Sequence, residues 1–158
     1  MVNAGLGFGG IFDDDFYGNP SPMLSASFEH GLWDIAGPGV ISLGGYLGFQ
    51  GHKDYDYGSS ERWRYTVVGV RGNYHYNGLK QVPKLDLYAG TMISYNFLRY
   101  SYTDSYGKRY KSRSNGWGSG LGLTAYAGGR WFFNEKFAGY VELGYGVTAI
   151  SLGGSFKF

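Results

Sequence analysis

The 158 residues allow a single domain, residues 1–158, and a net charge of +2 is too small to mark a nucleic-acid binder. Cysteine is absent, which excludes disulfides and thiolate metal sites, and 43% hydrophobic residues exclude a disordered chain despite 29 glycines. No run approaches the ~18 apolar residues of a transmembrane helix, so only strands could carry this chain across a membrane.

Side chains alternate faces along a strand, and that period runs through most of the sequence. The first strand, 2–12, puts Val2, Ala4, Leu6, Phe8, Gly10 and Phe12 on one face. A polar loop follows at 13–21. The second strand, 23–32, sets Leu24, Ala26, Phe28, His30 and Leu32 against Ser25, Ser27 and Glu29, and 35–39 is a short turn. The third, 40–50, sets Ile41, Leu43, Leu47 and Phe49 against Ser42, Gly44, Tyr46 and Gln50. After a polar, Tyr-bearing loop at 51–62, the fourth strand, 63–76, has Val68, Val70, Tyr74 and Tyr76 on its apolar face. Val67, Arg71, Asn73 and His75 take the other.

Asn77-Gly78 and Pro83 mark a short connection to the fifth strand, 85–97, where Leu85, Leu87, Ala89, Ile93, Tyr95 and Phe97 alternate with Asp86, Tyr88, Met92, Ser94 and Asn96. A long loop is expected at 99–116. The sixth strand, 117–133, places Leu121, Leu123, Ala125, Ala127 and Trp131 outward and Thr124, Tyr126 and Arg130 inward. Asn134-Glu135-Lys136 turns the chain into the seventh strand, with Phe137, Val141, Leu143 and Tyr145 outward. A brief connection near 146–148 leads to the last, with Ile150, Leu152, Phe156 and Phe158 outward.

Eight strands with long and short connections in alternation predict an all-β, eight-stranded antiparallel up-and-down transmembrane β-barrel. A soluble lipocalin-like ligand-binding barrel alternates in the same way. The second face separates the two, because in water it should be dense in Lys, Glu, Asp and Arg. Here it is Gly, Ser, Asn, Thr and Tyr with scattered charges, which suits the interior of an eight-stranded barrel. The apolar face carries aromatics toward both ends. Phe12, Phe49, Phe97, Trp117 and Tyr145 stand at one rim. Tyr74, Tyr76, Trp131, Phe133, Phe137, Phe156 and Phe158 stand at the other, as interfacial girdles would.

The run Glu142-Leu-Gly-Tyr-Gly146, followed by Ser151-Leu-Gly-Gly-Ser-Phe-Lys-Phe158, resembles the C-terminal insertion signal of bacterial outer-membrane barrels. With the Gly-rich alternating strands, the chain looks like the small outer-membrane β-barrel domain family of Gram-negative bacteria. The Bacteroides-type members are the nearest in pattern, and the architecture is shared with OmpX-like and OmpA-transmembrane-like barrels. The resemblance implies an outer-membrane location with both termini periplasmic. It also implies insertion by the barrel assembly machinery, with Tyr145, Leu152, Phe156 and Phe158 as the assembly signal. Met1-Val-Asn-Ala-Gly5 lacks the basic start and apolar core of a signal peptide. On this reading the numbered chain is therefore the mature form with an added or replaced Met1.

Candidate site residues fall in two groups. Glu29, Arg71, His75, Asp86, Arg130, Glu142 and Lys157 lie on the inward face and are expected to pair across the lumen and plug it. Glu142 falls near Gly128, His75 opposite Asp86, and Arg71 at the height of Glu142. A gate for ions, or a proton-sensitive switch at His75, is the functional counterpart. The 99–116 loop interleaves Arg99, Lys108, Arg109, Lys111 and Arg113 with Tyr100, Tyr102 and Tyr110. Phosphate or sulfate groups of a surface glycolipid would suit it.

No Ser, His and acid fall at the spacing of a membrane-deacylase triad: His30 faces outward, His52 lies in a loop and His75 inside. An enzyme is therefore not expected. Asp13-Asp-Asp15 lacks a defined cage, so no metal or other cofactor is expected. The expected role is structural or surface-interacting, with lipopolysaccharide or another envelope component as partner. A small channel or transporter for small or apolar solutes is the alternative, and membership in a larger envelope complex is a third.

Overall fold

The computed structural model describes residues 1–10, 21–35, 39–56, 59–76, 78, 81–103, 109–112 and 119–158. These residues contain nine strands and no helix: β1 (Val2–Phe8), β2 (Met23–Ile35), β3 (Gly39–Asp56), β4 (Ser59–Tyr76), β5 (Leu85–Thr103), β6 (Arg109–Ser112), β7 (Gly120–Phe132), β8 (Phe137–Tyr145) and β9 (Ile150–Phe156). All pairings are antiparallel. The ladder runs β4-β3-β2-β1-β9-β8-β7-β5, and β5 returns to β4, which closes an eight-stave barrel. β6 pairs only with β5, above the reach of β7, so it belongs to the same stave as β7 but in a separate piece.

Alternation decides the faces as expected, and closure removes every sheet edge within the barrel wall. On β5, Leu87, Ile93, Tyr95 and Phe97 are exposed, while Tyr88, Met92, Ser94 and Asn96 are buried. Leu121 is 82% exposed and Leu123 69%, whereas Val67 and Arg130 are completely buried. The barrel is therefore apolar outside and largely polar inside. Followed round the wall, one rung passes from Leu6 to Leu24, Phe49, Thr66 and Phe97, climbing beyond the upper ends of β8 and β9. The strands are thus strongly tilted, as barrel closure demands. With a tilt near 40°, each residue rises roughly 2.5 Å along the axis, so the outward run from Leu121 to Trp131 spans about 25 Å.

Two glycines are needed where the wall is tight. Gly153 pairs with Gly5 at the β1–β9 seam, and a Cβ on Gly153 would run into the Ala4 carbonyl. Gly146 takes a φ of +127°, open to glycine alone, and lets the β8–β9 connection turn Val147 into the lumen.

Several sequence boundaries need correction. β1 ends at Phe8 rather than 12, because Gly9 at φ +59° leads the chain out of the ladder; Ile11 and Phe12 lie outside the described residues. β2 continues to Ile35 through an irregularity between Gly31 and Trp33. The expected loop at 51–62 is instead hairpin: pairing runs to Asp56 opposite Ser59, and His52 is a strand residue. Much of the expected 99–116 loop is also strand, in β5 and β6. The reason is common to both. A ladder needs only backbone hydrogen bonds, so it continues past the apolar band into polar sequence, where hydrophobic alternation stops marking it. β7 runs from Gly120 to Phe132, and Trp117 lies outside the described residues.

Candidate functional site

The inward positions form two layers. The lower one, toward the short turns, is ionic. Glu29 on β2 and Arg130 on β7 reach across the lumen to a 2.5 Å ion pair, and Arg130 also donates to Asp86 at 3.1 Å. Arg71 on β4 meets Glu142 on β8 at 2.6 Å. The two pairs are joined into one network. Tyr88 donates to Glu142 at 2.8 Å, and Asn73 donates to Glu29 at 2.7 Å. Tyr126 donates to Asn73 and accepts from Arg71 Nε.

Each guanidinium also lies over a tyrosine ring, Arg71 on Tyr126 and Arg130 on Tyr88, both at 4.2 Å. His75 places Nδ1 within 3.1 Å of both Asp86 oxygens and Nε2 at 3.1 Å from the Ser42 hydroxyl. A carboxylate only accepts, so Nδ1 carries the hydrogen. Six of the eight staves contribute to this brace.

Above it an apolar cluster fills much of the lumen, Met23, Tyr65, Val67, Met92, Leu98 and Val147 buried together, with Ser94, Asn96 and Thr124 buried among the inward positions there. Between the layers, beside Arg71 and Glu142, a cavity of about 20 Å³ remains, room for roughly one water. The glycines on the inner wall do not leave a bore, because tyrosines fill over them: the Tyr140 ring stands against Gly5 and Tyr88 against Gly128.

Of the seven expected lumen residues, the structure brings six together: Glu29, Arg71, His75, Asp86, Arg130 and Glu142. Glu142 is opposite Gly128, and Arg71 reaches it across the barrel. His75 is opposite Tyr88 rather than Asp86, the β4–β5 register being offset by two from the expected one; the Asp86 contact is diagonal. Lys157 is the exception. It follows the last strand, is exposed at the mouth and makes no ion pair among the described residues. The sequence reading also missed Ser42, Asn73, Tyr88 and Tyr126 as members of the network. All four lay on inward faces, and tyrosine hydroxyls at the height of two arginines were the available signal. Val147 left no such signal, since it sits in a turn.

On the opposite end, β3, β4, β5 and β6 continue past the barrel as a four-stranded sheet. Trp63 and Tyr100 pack at 4.3 Å on it. Arg64 and Arg99 are exposed and directly opposite one another, just above the Thr66–Phe97 pair. Tyr110 is half exposed. Tyr102, Arg109 and Lys111 lie on the strands of this sheet, while Lys108, Arg113 and Asp13–Asp15 fall outside the described residues.

Of the assembly-signal residues, Tyr145, Leu152, Phe156 and Phe158 all face outward, with Phe158 stacked on Phe28 at 6.1 Å and Phe156 against Phe137 at 5.0 Å. Among the described residues no group of three or more His, Asp or Glu is arranged to hold a metal ion. No protein family, curated protein or solved structure matches the chain.

Proposed function

We propose that this protein is an integral outer-membrane barrel with a closed lumen, whose projecting sheet makes contact at the cell surface. The observation that carries the reading is the exterior. Large hydrophobic side chains stand exposed on every stave of the wall while arginines and carboxylates are buried within. In water such a surface far exceeds the few hundred Å² of apolar patch a monomer tolerates. In lipid it is the expected exterior, and its height of about 25 Å equals the apolar band of outer-membrane barrels.

The surface role rests on the sheet formed by β3 to β6. Arg64 and Arg99, with like charge directly opposite, need an anionic counterpart. They stand next to the upper aromatic rim, where phosphates of lipopolysaccharide would lie, and guanidinium suits phosphate through paired hydrogen bonds. The braced and filled lumen argues against a channel. Ser42, His75 and Asp86 are hydrogen-bonded in the order of a catalytic triad, but Ser42 is buried inside that brace, out of a substrate's reach, so the array does not argue for hydrolysis.

Quenching by lipid tests the reading. The refolded protein is placed in vesicles whose acyl chains carry bromine, using variants that keep one tryptophan each. Trp131, outward on the lower rim, is then quenched, and Trp63, on the projecting sheet, is not. Equal quenching of neither residue, with the protein left outside the vesicles, would remove the membrane reading.

A further inference from the structure

The lysine that left the lumen network belongs to a second group. Asp86 and Ser155 face the lumen, and Ala138 is buried on the same side. Two residues beyond each toward the short-turn end come Lys84, Lys157 and Lys136, all exposed just outside the strand ends. Their backbones are tied to the barrel. Phe132 N–H donates to the Lys84 carbonyl at 2.8 Å, and Lys157 N–H donates to the Lys136 carbonyl at 2.7 Å. Lys136 and Lys157 thus sit opposite one another, a like-charge pair that is unfavourable without a counter-ion. Among the described residues none of the three is ion-paired; the lumen carboxylate of Asp86, two residues from Lys84, is already held by Arg130 and His75.

All three lysines line one open cavity of about 660 Å³, with Phe132 and Phe158 on its walls and Glu135 as its single acidic side chain. The volume lies in the range of ligand sites. Even with the chain-end carboxylate of Phe158 counted, the mouth remains net positive. Two residues deeper on the same strands lie Asp86 and the completely buried Arg130, held together in the ionic brace.

We infer that this mouth binds a phosphate-bearing ligand, its multivalent anion held by Lys84, Lys136 and Lys157 and any apolar part lying on Phe132 and Phe158. Lysine ammonium groups act as compact point charges toward phosphate, needing no fixed fork geometry. The inference deepens the membrane reading, on which this end faces the periplasm. A soluble phosphate compound and the headgroup of a neighbouring phospholipid share the chemistry.

The test measures the thermal unfolding midpoint in dodecylmaltoside micelles on adding inorganic pyrophosphate or, separately, phosphatidic acid. A ligand that binds only the folded state raises the midpoint. Four proteins are compared: the natural chain, K84Q/K136Q/K157Q, the charge-keeping K84R/K136R/K157R, and R64Q/R99Q as a control at the far end. The natural, arginine and control proteins are expected to bind at least tenfold more tightly than the glutamine variant, with the difference shrinking at high salt.

A rise with pyrophosphate identifies a soluble ligand, and a rise with phosphatidic acid alone identifies a lipid headgroup. No rise with either, or an equal response from the glutamine variant, overturns the inference. Each sample is first checked for a folded, heat-modifiable band. If the natural chain folds without micelles, the membrane reading fails, and the same titration in plain buffer still decides the lysine site.

Discussion

At the scale of single residues, the lumen holds charges that are safe only together. Arg71 and Glu142 are both buried, and Glu142 also accepts from Tyr88. Removing one partner leaves the other uncompensated, so Glu142→Ala is expected to cost about 3–5 kcal/mol. The double replacement Arg71→Met with Glu142→Leu should recover most of that loss, since matched apolar residues need no partner. Urea unfolding in micelles measures both, and a single-variant cost below about 1 kcal/mol would show the brace to be ornamental.

Gly153→Val is expected to prevent the β1–β9 seam from closing, because the added side chain meets the Ala4 carbonyl. Loss of the heat-modifiable band is the readout. The charged members of the brace were legible as inward residues of alternating strands. The diagonal choice of His75 for Asp86 was not, because a two-residue offset in register changes which residues stand level without changing their face.

At the scale of elements, the long strands divide into a part that belongs to the wall and a part that does not. β3 and β4 pair to Asp56 and Ser59, and β5 pairs with β4 to Thr103, while β8 stops at Tyr145. The projecting sheet lies beyond the apolar band and contributes little to closure. Replacing residues 101–111 by an Asn-Gly turn is therefore expected to change stability by less than about 1 kcal/mol, a midpoint shift of roughly 2–4 °C. The same variant should keep its retention on immobilised lipopolysaccharide, because Arg64 and Arg99 remain, whereas Arg64→Gln with Arg99→Gln should lose it. Unchanged retention in the arginine variant would move the surface contact away from this pair.

These extensions were the least legible elements. On β5, Leu98 continues the inward parity of Asn96, yet the neighbouring Arg99 hid the strand's extension in a polar stretch. Past the apolar band, hydrophobic periodicity has no reason to persist. The wall itself was legible because each strand there separates two media, and every second residue records which one it meets.

At the scale of the whole molecule, the polarity of the barrel is the decisive property. A substitution in the middle of the outer band distinguishes lipid from water. Val70, 64% exposed between Val68 and Gly72, is such a position. Val70→Arg is expected to cost about 2–4 kcal/mol in a bilayer. At an exposed position in water it would be close to neutral. Unfolding from vesicles by denaturant gives the number.

The most direct measurement of the central claim is refolding from urea with and without micelles, read by circular dichroism and by gel mobility before and after boiling. The lipid-facing exterior predicts strand-type dichroism and a heat-modifiable band only when micelles are present, with aggregation in their absence. A folded, monodisperse monomer in plain buffer would contradict it.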